Sequence, residues 1–197
     1  MSTSLLYHGF GLRGYQHVCN RYYEGAIHFH VSQDRFSLRC PACRSYKVQR
    51  KGVVLRRFRT VPIGLKPVWI VLQVQRLLCL LCGVLRQVRV DFAQERRSYT
   101  HAFERCVLEL SRHMTIRDVS RFLKVSRDVV KDFQKRNLNQ RFANPKLKKL
   151  KQIAIDEISI GKGHRYLTIV LDLKSGAVVF VGDGKGANAL EPFWQRL

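Results

Sequence analysis

Cys40-Pro-Ala-Cys43 and Cys79-Leu-Leu-Cys82 are two cysteine pairs of equal spacing, separated by 35 residues, and Gly83 follows the second pair. Two such pairs are typical of proteins in which four thiolates hold Zn²⁺ in a tetrahedron. No histidine lies between His30 and His101, so we expect a site made of four cysteines. The pattern predicts a structural zinc ion, because zinc binding of about 10 to 16 kcal/mol exceeds what a small core contributes.

Two other interpretations of the cysteines remain open at this stage. A Cys-Pro-x-Cys pair also occurs in redox proteins, but neither pair is predicted to open a helix after a strand, and a redox role leaves the second pair unexplained. Alternatively, the four cysteines are free structural thiols. Cys19 and Cys106 fall outside the pairs, and we expect both to be buried thiols and not ligands.

The 197-residue chain is strongly basic, because 36 Lys and Arg residues against 14 Asp and Glu residues give a net charge of +22. This excess is beyond what solubility requires and predicts a polyanionic partner. No signal peptide and no run of about 20 apolar residues is recognisable, so we expect no membrane association and a cytoplasmic location. Cysteines in that compartment stay reduced, which favours metal ligation over disulfides.

Residues 35–92 form the predicted zinc-binding β module. Positions 35–90 contain no acidic residue, and strands are expected at 53–58 and 68–74, with the breakers Pro62, Gly64 and Pro67 between them. The preceding residues, 1–34, are assigned to an N-terminal segment of unknown role with one strand at 26–31.

Between residues 98 and 142 the apolar period becomes 3.6, which predicts three short helices. Thr115 with Asp118 forms a capping box at the start of the second helix, and Ser126 is placed to cap the third. The three apolar faces are expected to be Phe103, Val107 and Leu110, then Ile116, Val119 and Leu123, then Val129, Val130 and Phe133.

The tight turn at 124–126 matches a helix-turn-helix plan, in which the last helix contacts DNA. Its basic residues lie off the apolar face and are predicted to contact phosphates; they are Arg127, Lys131, Lys135 and Arg136. An ordinary three-helix bundle is the alternative. Asp128 and Asp132 on the same helix either accept hydrogen bonds from cytosine or pair locally with basic side chains.

A basic linker is predicted at 143–151, and strands follow at 152–158, 166–173 and 177–182. A last helix is expected to open at Asn188 with Glu191, which places Pro192 in its first turn. Asp156 and Glu157 interrupt the first strand and must point to opposite faces. A carboxylate on a helix-covered face is costly unless it is paired or binds metal, so a metal-ligating Asp is predicted, with an exposed strand-end Asp as the alternative.

These motifs together, ending in Ile153-Ala-Ile-Asp156-Glu157, resemble the ISL3 family of bacterial insertion-sequence transposases from about residue 36 onward. The resemblance implies an α+β multi-module fold: a four-cysteine, zinc-ribbon-like β module, a three-helix helix-turn-helix, and at 152–197 the N-terminal part of a ribonuclease H-like α/β DDE domain. It places the first catalytic Asp on Asp156, which would help hold two Mg²⁺ ions in a complete enzyme. The implied partner is double-stranded DNA at the terminal repeats of the element.

The chain departs from the family pattern in two places. Arg44 stands where the first knuckle usually has Gly, which weakens that turn. The second Asp and the Glu of the family belong to sequence beyond Leu197, so we expect the chain to be a C-terminally truncated form.

Other carboxylates are not expected to complete the catalytic site. Counting across the predicted hairpins puts Asp156 opposite Ile169, with Asp172 three residues further along, roughly 10 Å away. The same counting places Asp183 near Tyr166. We therefore expect no DNA cleavage or joining by this chain alone.

Two rival functions share the zinc module with the transposase. One is a non-catalytic DNA-binding protein or repressor derived from a truncated transposase, and the other is a zinc-ribbon adaptor for protein or RNA. A homodimer is also expected, because the strand at 152–158 would present an unpaired apolar edge.

Overall fold

The computed structural model describes residues 4–34, 36, 38–142, 145, 147 and 150–197. These fall into two compact units, Met1–Lys135 and Arg136–Leu197. Most of the predicted linker at 143–151 lies outside the described residues. None of the described helices is both long and apolar enough to cross a lipid bilayer.

The first unit contains a five-stranded mixed sheet preceded by a short helix, α1 (Leu5–Phe10). Its strands are β1 (Tyr15–Tyr23), β2 (Ala26–Gln33), β3 (Val48–Ile63), β4 (Lys66–Cys79) and β5 (Leu85–Gln87). The order is β1-β2-β4-β3, with β5 also on β4, and only the β2–β4 pair is parallel.

β3 and β4 run beyond the segments predicted from β-propensity, because they form one long antiparallel hairpin. Ile63 pairs with Lys66, so the reversal needs only Gly64 and Leu65. Pro62 is tolerated inside β3 because β3 is the edge strand, where a missing N–H costs no interior ladder bond.

One face of this sheet carries the main core, to which residues 4–34 contribute directly. Phe29 and Val31 on β2 pack with Phe58, Ile70 and other buried residues of β3 and β4, and Leu6, Phe10 and Leu12 cover them. The segment assigned from sequence as separate therefore shares a sheet and a core with the cysteine-bearing strands.

Three helices follow: α2 (His101–Leu110), α3 (Ile116–Leu123) and α4 (Arg127–Phe142). The Thr115 hydroxyl accepts a hydrogen bond from the Asp118 N–H (3.2 Å), and Ser126 Oγ accepts one from the Val129 N–H (3.3 Å). Both predicted caps are confirmed. The predicted apolar faces also meet in one core, whose buried members are Phe103, Val107, Val119, Leu123, Val130 and Phe133.

The second unit contains the sheet β6-β7-β8 and helix α5 (Ala187–Trp194). The strands are β6 (Ile153–Gly161), β7 (Arg165–Asp172) and β8 (Ala177–Asp183), all antiparallel. α5 packs closely on β8: a side chain at Gly182 would collide with the backbone carbonyl of Ala189. Leu147, inside the predicted linker, is buried with Val170 and Phe193.

The predicted start of the last helix is wrong. Gly186 is the N-cap residue and provides no side-chain cap, so Asn188 lies inside the helix. Pro192 is accordingly past the first turn and leaves the Asn188 carbonyl without its helical donor. The positive φ angles of Gly184 and Gly186 let the chain reverse after β8 and enter the helix early.

Candidate metal centre and DNA-binding elements

The four predicted zinc ligands meet at one point. The Sγ atoms of Cys40 and Cys82 are 3.6 Å apart, those of Cys43 and Cys79 are 3.5 Å apart, and all four lie within 4.8 Å of one another. Zn–S bonds of about 2.3 Å in a tetrahedron require sulfurs about 3.8 Å apart. The cluster therefore has the size that a Zn²⁺ ion needs. In the described part of the chain no other group of three or more potential ligands comes together.

Each cysteine pair lies in a knuckle with the same backbone hydrogen bonds. Cys40 N–H donates to the Ser45 carbonyl (2.9 Å), and Arg44 N–H donates to the Cys40 carbonyl (3.0 Å). In the second knuckle the Cys79 N–H donates to the Val84 carbonyl and the Gly83 N–H donates to the Cys79 carbonyl, both at 3.0 Å. Arg44 (φ 60°) and Gly83 (φ 67°) occupy the equivalent left-handed position, which explains why a glycine is favoured there.

The knuckle amides favour the thiolate form of two cysteines. The N–H of Cys43 points at the Cys40 sulfur and lowers the pKa of Cys40 to about 6, and the N–H of Cys82 lowers the pKa of Cys79. For Cys43 the Ser45 N–H has the same lowering effect, but the adjacent Cys79 sulfur opposes it, and the pKa rises to about 12. Four crowded sulfurs thus need a cation before all of them can ionise.

The position of the knuckles ties them to the sheet. Cys79 is the last residue of β4, and Lys47, which precedes β3, accepts a hydrogen bond from Leu80 N–H (2.9 Å). Cys40 and Cys79 are buried, whereas Cys43 and Cys82 are exposed at the tip. A small core of Leu38, Leu77 and Val88 is separate from the main core, and Leu38 and Leu77 each come two residues before a cysteine of the cluster.

The basic residues predicted to contact DNA differ in exposure. Arg127, Lys131 and Lys135 are exposed on α4, as the sequence predicted. Arg136 is only partly exposed, and its Nε and Nη2 atoms are buried. Arg136 is therefore less accessible than the other three basic residues, and its contact with DNA stays a prediction.

The acidic residues of α4 engage basic neighbours. Asp132 Oδ2 accepts a hydrogen bond from Arg97 Nη1 at 3.0 Å, and Asp128 lies 3.9 Å from Lys131 Nζ. The sequence left two interpretations open for these residues, base contact or local pairing. Asp132 pairs locally with Arg97, whereas the contact between Asp128 and Lys131 is longer and exposed.

Asp156 is opposite Ile169 in the β6–β7 pair, as the turn length predicted. Its carboxylate is exposed and accepts a hydrogen bond from the neighbouring Glu157 N–H (2.8 Å). Glu157 is on the other face, where its Oε1 accepts the N–H of Gly186 (2.8 Å) at the start of α5. The carboxylate on the helix side is therefore Glu157, and the start of the helix pairs with it.

The two other carboxylates in this sheet lie away from Asp156. Asp172 pairs with Ile153, three positions from the Asp156 level, as predicted. Asp183 pairs with Leu167 and not with Tyr166, because an irregularity between Val170 and Leu171 shifts the β7–β8 register by one. The predicted register of β8 against β7 was wrong by one residue, but Asp183 still lies two strands away from Asp156.

Arg59 is a structurally important residue that sequence reasoning did not single out. It is 3% exposed on β3, and its Nη2 donates to the Leu123 carbonyl at the end of α3 (3.0 Å). No local pattern predicts this contact, because its partners are 64 positions apart.

Three family models match the chain in order. Residues 37–82 match the zinc-finger of transposase IS204/IS1001/IS1096/IS1165, and residues 88–133 match the helix-turn-helix domain of transposase family ISL3. Residues 153–197 match the ISL3 DDE model, described as a transposase. Together the three matches cover more than half of the chain.

Curated relatives carry the same description. The transposase for insertion sequence element IS1001 of Bordetella parapertussis is 27% identical over 158 residues, which is 80% of this chain and 39% of the relative. The transposase for IS1557 of Mycobacterium tuberculosis is 30% identical over 168 residues, 81% of this chain and 36% of the relative. The chain spans less than two fifths of the length of these relatives.

No solved structure gives a significant match. The three consecutive matches and the curated relatives agree, however, on one assignment. The chain belongs to the ISL3 family of insertion-sequence transposases.

Proposed function

We propose that this chain is the DNA-binding portion of an ISL3-type transposase, in which a zinc ribbon supports a helix-turn-helix that binds the terminal repeats of the element. The observation that carries the proposal is the exposure of Arg127, Lys131 and Lys135 along α4, directly after the tight turn from α3. Helices in this arrangement place their first turns in the major groove and their basic side chains near phosphates.

Zinc has a structural role in this proposal. The four cysteines saturate a tetrahedron and leave no open coordination position for a substrate, which is the property of structural sites. Cys40, Cys43, Cys79 and Cys82 would hold the ion, and the shared knuckle geometry supports that assignment.

The second unit is proposed to be the first part of a ribonuclease H-like DDE domain, with Asp156 as its first catalytic residue. Two-metal phosphodiester chemistry requires several carboxylates around Mg²⁺ ions about 3.5 to 4 Å apart. Within the described residues Asp156 has no such companions, so these residues do not fit a two-metal site by themselves. We derive no catalytic step from Asp156 alone.

Fluorescence anisotropy with labelled duplexes tests the DNA-binding proposal. Wild-type chain should bind duplex DNA with a steep salt dependence, and enrichment from a random-sequence duplex pool should yield one preferred sequence. The triple variant Arg127→Ala/Lys131→Ala/Lys135→Ala should weaken binding strongly, since it removes exposed charges and leaves the α2–α4 core intact.

The matched control replaces three exposed basic residues elsewhere, Lys162→Ala/Arg165→Ala/Lys174→Ala, which changes the net charge equally. An equal loss of DNA affinity in both triple variants would show that binding reflects general charge attraction, and would exclude α4 as the DNA-contacting helix. A preference for single-stranded RNA over duplex DNA would instead favour the zinc-ribbon adaptor. A non-catalytic repressor would share the DNA binding. It is separated from a transposase by strand cleavage in a longer chain that also carries the further catalytic carboxylates, because this chain alone is not expected to cleave DNA.

A further inference from the structure

A concave surface beside the first knuckle is lined by arginine residues from three parts of the sequence. It has a volume of about 540 Å³ and is bounded by Pro41 of the knuckle. We call this surface the arginine pocket because four arginine residues line it: Arg56, Arg86, Arg89 and Arg96. Among the described residues that line it, Glu95 is the one carboxylate.

Arg56 is held in place before any ligand arrives. Its Nη2 donates a hydrogen bond to the Arg97 carbonyl (2.6 Å), and its guanidinium carbon lies 4.6 Å from the ring centroid of buried Phe58. An arginine fixed in this way loses little side-chain entropy on binding an anion.

The carboxylate of Glu95 neutralises the pocket only in part. It accepts a hydrogen bond from Arg89 Nε at 2.9 Å, but both side chains are about two-thirds exposed. Exposed ion pairs contribute little free energy and exchange readily with water or another anion. Three further arginine residues therefore line a surface that has no other carboxylate among its described lining residues.

One residue connects the arginine pocket with α4. Arg97 accepts the Arg56 hydrogen bond through its carbonyl and donates to Asp132 of α4 through Nη1 (3.0 Å). A duplex lying along α4 would therefore pass close to the pocket.

We propose that the arginine pocket binds a backbone phosphate of the duplex that α4 contacts, and so sets the zinc ribbon against the flanking DNA. The inference rests on the proposed DNA binding by α4. Arginine forks match phosphate oxygens in pairs, and such backbone contacts position a protein on DNA without reading its sequence. In this proposal the phosphate displaces the Glu95 carboxylate from Arg89, and the negative charge of Glu95 opposes phosphate binding.

The test measures binding of the zinc-loaded full chain to a labelled duplex of mixed sequence over a series of salt concentrations. Arg86→Ala/Arg89→Ala should weaken binding roughly tenfold or more and reduce the slope of log affinity against log salt by about two. The matched control, Arg21→Ala/Arg57→Ala, removes the same charge from exposed residues. Arg57 follows Arg56 on β3 and so points to the opposite face of the sheet. The control should keep the wild-type slope.

Glu95→Gln tests the pocket in the opposite direction. Removal of the competing carboxylate should tighten binding by roughly two- to fivefold, while its exposed ion pair contributes little to stability. Thermal unfolding and zinc content should match the wild type for each variant.

The outcomes separate this inference from the proposed function. If the α4 triple variant loses binding but the pocket variants behave as the wild type, the pocket assignment is wrong and the function stands. If the control pair loses as much as Arg86→Ala/Arg89→Ala, the effect is general charge and the pocket is again excluded. A wild-type chain that binds no duplex overturns both proposals. Loss of binding only in the pocket variants overturns α4 as the DNA-contacting helix, and with it the inference that the pocket holds a phosphate of an α4-bound duplex.

Discussion

Arg59 Nη2 donates a 3.0 Å hydrogen bond to the backbone carbonyl of Leu123, so that a buried strand residue caps the last residue of helix α3. The Arg59 guanidinium also lies 5.5 Å from the Trp69 ring centroid and 5.7 Å from that of Phe103. Burial lowers the pKa of Arg59, and the electrostatic influence of Tyr99 opposes that shift. This contact joins the cysteine-bearing sheet to the helices within the first unit.

Arg59→Ala should lower the free energy of unfolding by about 2 to 4 kcal/mol, because it opens a cavity and leaves the Leu123 carbonyl without its donor. Urea unfolding followed by Trp69 fluorescence, in a Trp194→Phe background, measures the loss. Arg57→Ala, at an exposed position of β3 two residues away, is the control and should change little. An unchanged midpoint for Arg59→Ala would show that the contact contributes nothing.

Removal of zinc should unfold only one end of the first unit. We expect about one Zn²⁺ per chain by metal analysis, and its loss in Cys40→Ser or Cys82→Ser. The small core of Leu38, Leu77 and Val88 depends on the knuckles, whereas the main core contains none of the four cysteines. We therefore expect unfolding to be confined to the knuckles and this small core, with the main core retained.

Hydrogen exchange measures how far that unfolding extends. Amides of β5 and of the knuckles should lose protection in Cys40→Ser, while amides at 68–72, which pair with β2, keep it. Cys19→Ser, which lies outside the cluster, should retain both zinc and protection. Well-folded wild-type protein without zinc would contradict the metal assignment.

The two equivalent knuckle positions should respond in opposite directions to substitution. Gly83→Ala should destabilise the zinc-loaded protein by about 1 kcal/mol, because φ is 67° and no atom lies near enough to the added Cβ to cause a steric effect. Arg44→Gly should stabilise it by up to about 1 kcal/mol, since Arg44 has φ 60°. Thermal unfolding with bound zinc distinguishes the two. A loss of stability in Arg44→Gly would mean that the Arg44 side chain outweighs the backbone strain.

Self-association should depend on β6, which has one neighbour, β7, among the described strands. Ile158 is 39% exposed there, on the face opposite Glu157 and α5, so Ile158→Lys should reduce association without disturbing the core. Ile155 is a poorer choice because it shares the face of Glu157. Light scattering over a series of protein concentrations measures the average molar mass and so the extent of self-association.

The control for this prediction is on the other edge strand. Val178 on β8 is 49% exposed, and Val178→Lys should leave association unchanged. A monomeric wild-type chain, or equal effects of both lysines, would exclude pairing through β6.

Short-range features of this protein were predictable because local spacing determines them. The cysteine pairs, the caps at Thr115 and Ser126, and the Asp156–Ile169 pairing each depend on a turn of a few residues. Their geometry follows from hydrogen bonds within that turn, whatever the rest of the chain does. The ISL3 assignment rests on the same local motifs in their order along the chain.

Long-range features were decided by the tertiary structure. Three kinds of feature leave no local pattern in the sequence. They are the parallel pairing of β2 with β4, the burial of Arg59 and of two Arg136 nitrogens, and the irregularity that moves Asp183. The arginine pocket likewise gathers side chains from positions 56 to 96. The sequence specifies which residues are apolar or basic, but their neighbours are set by the packing that buries the most apolar surface while pairing the buried polar groups.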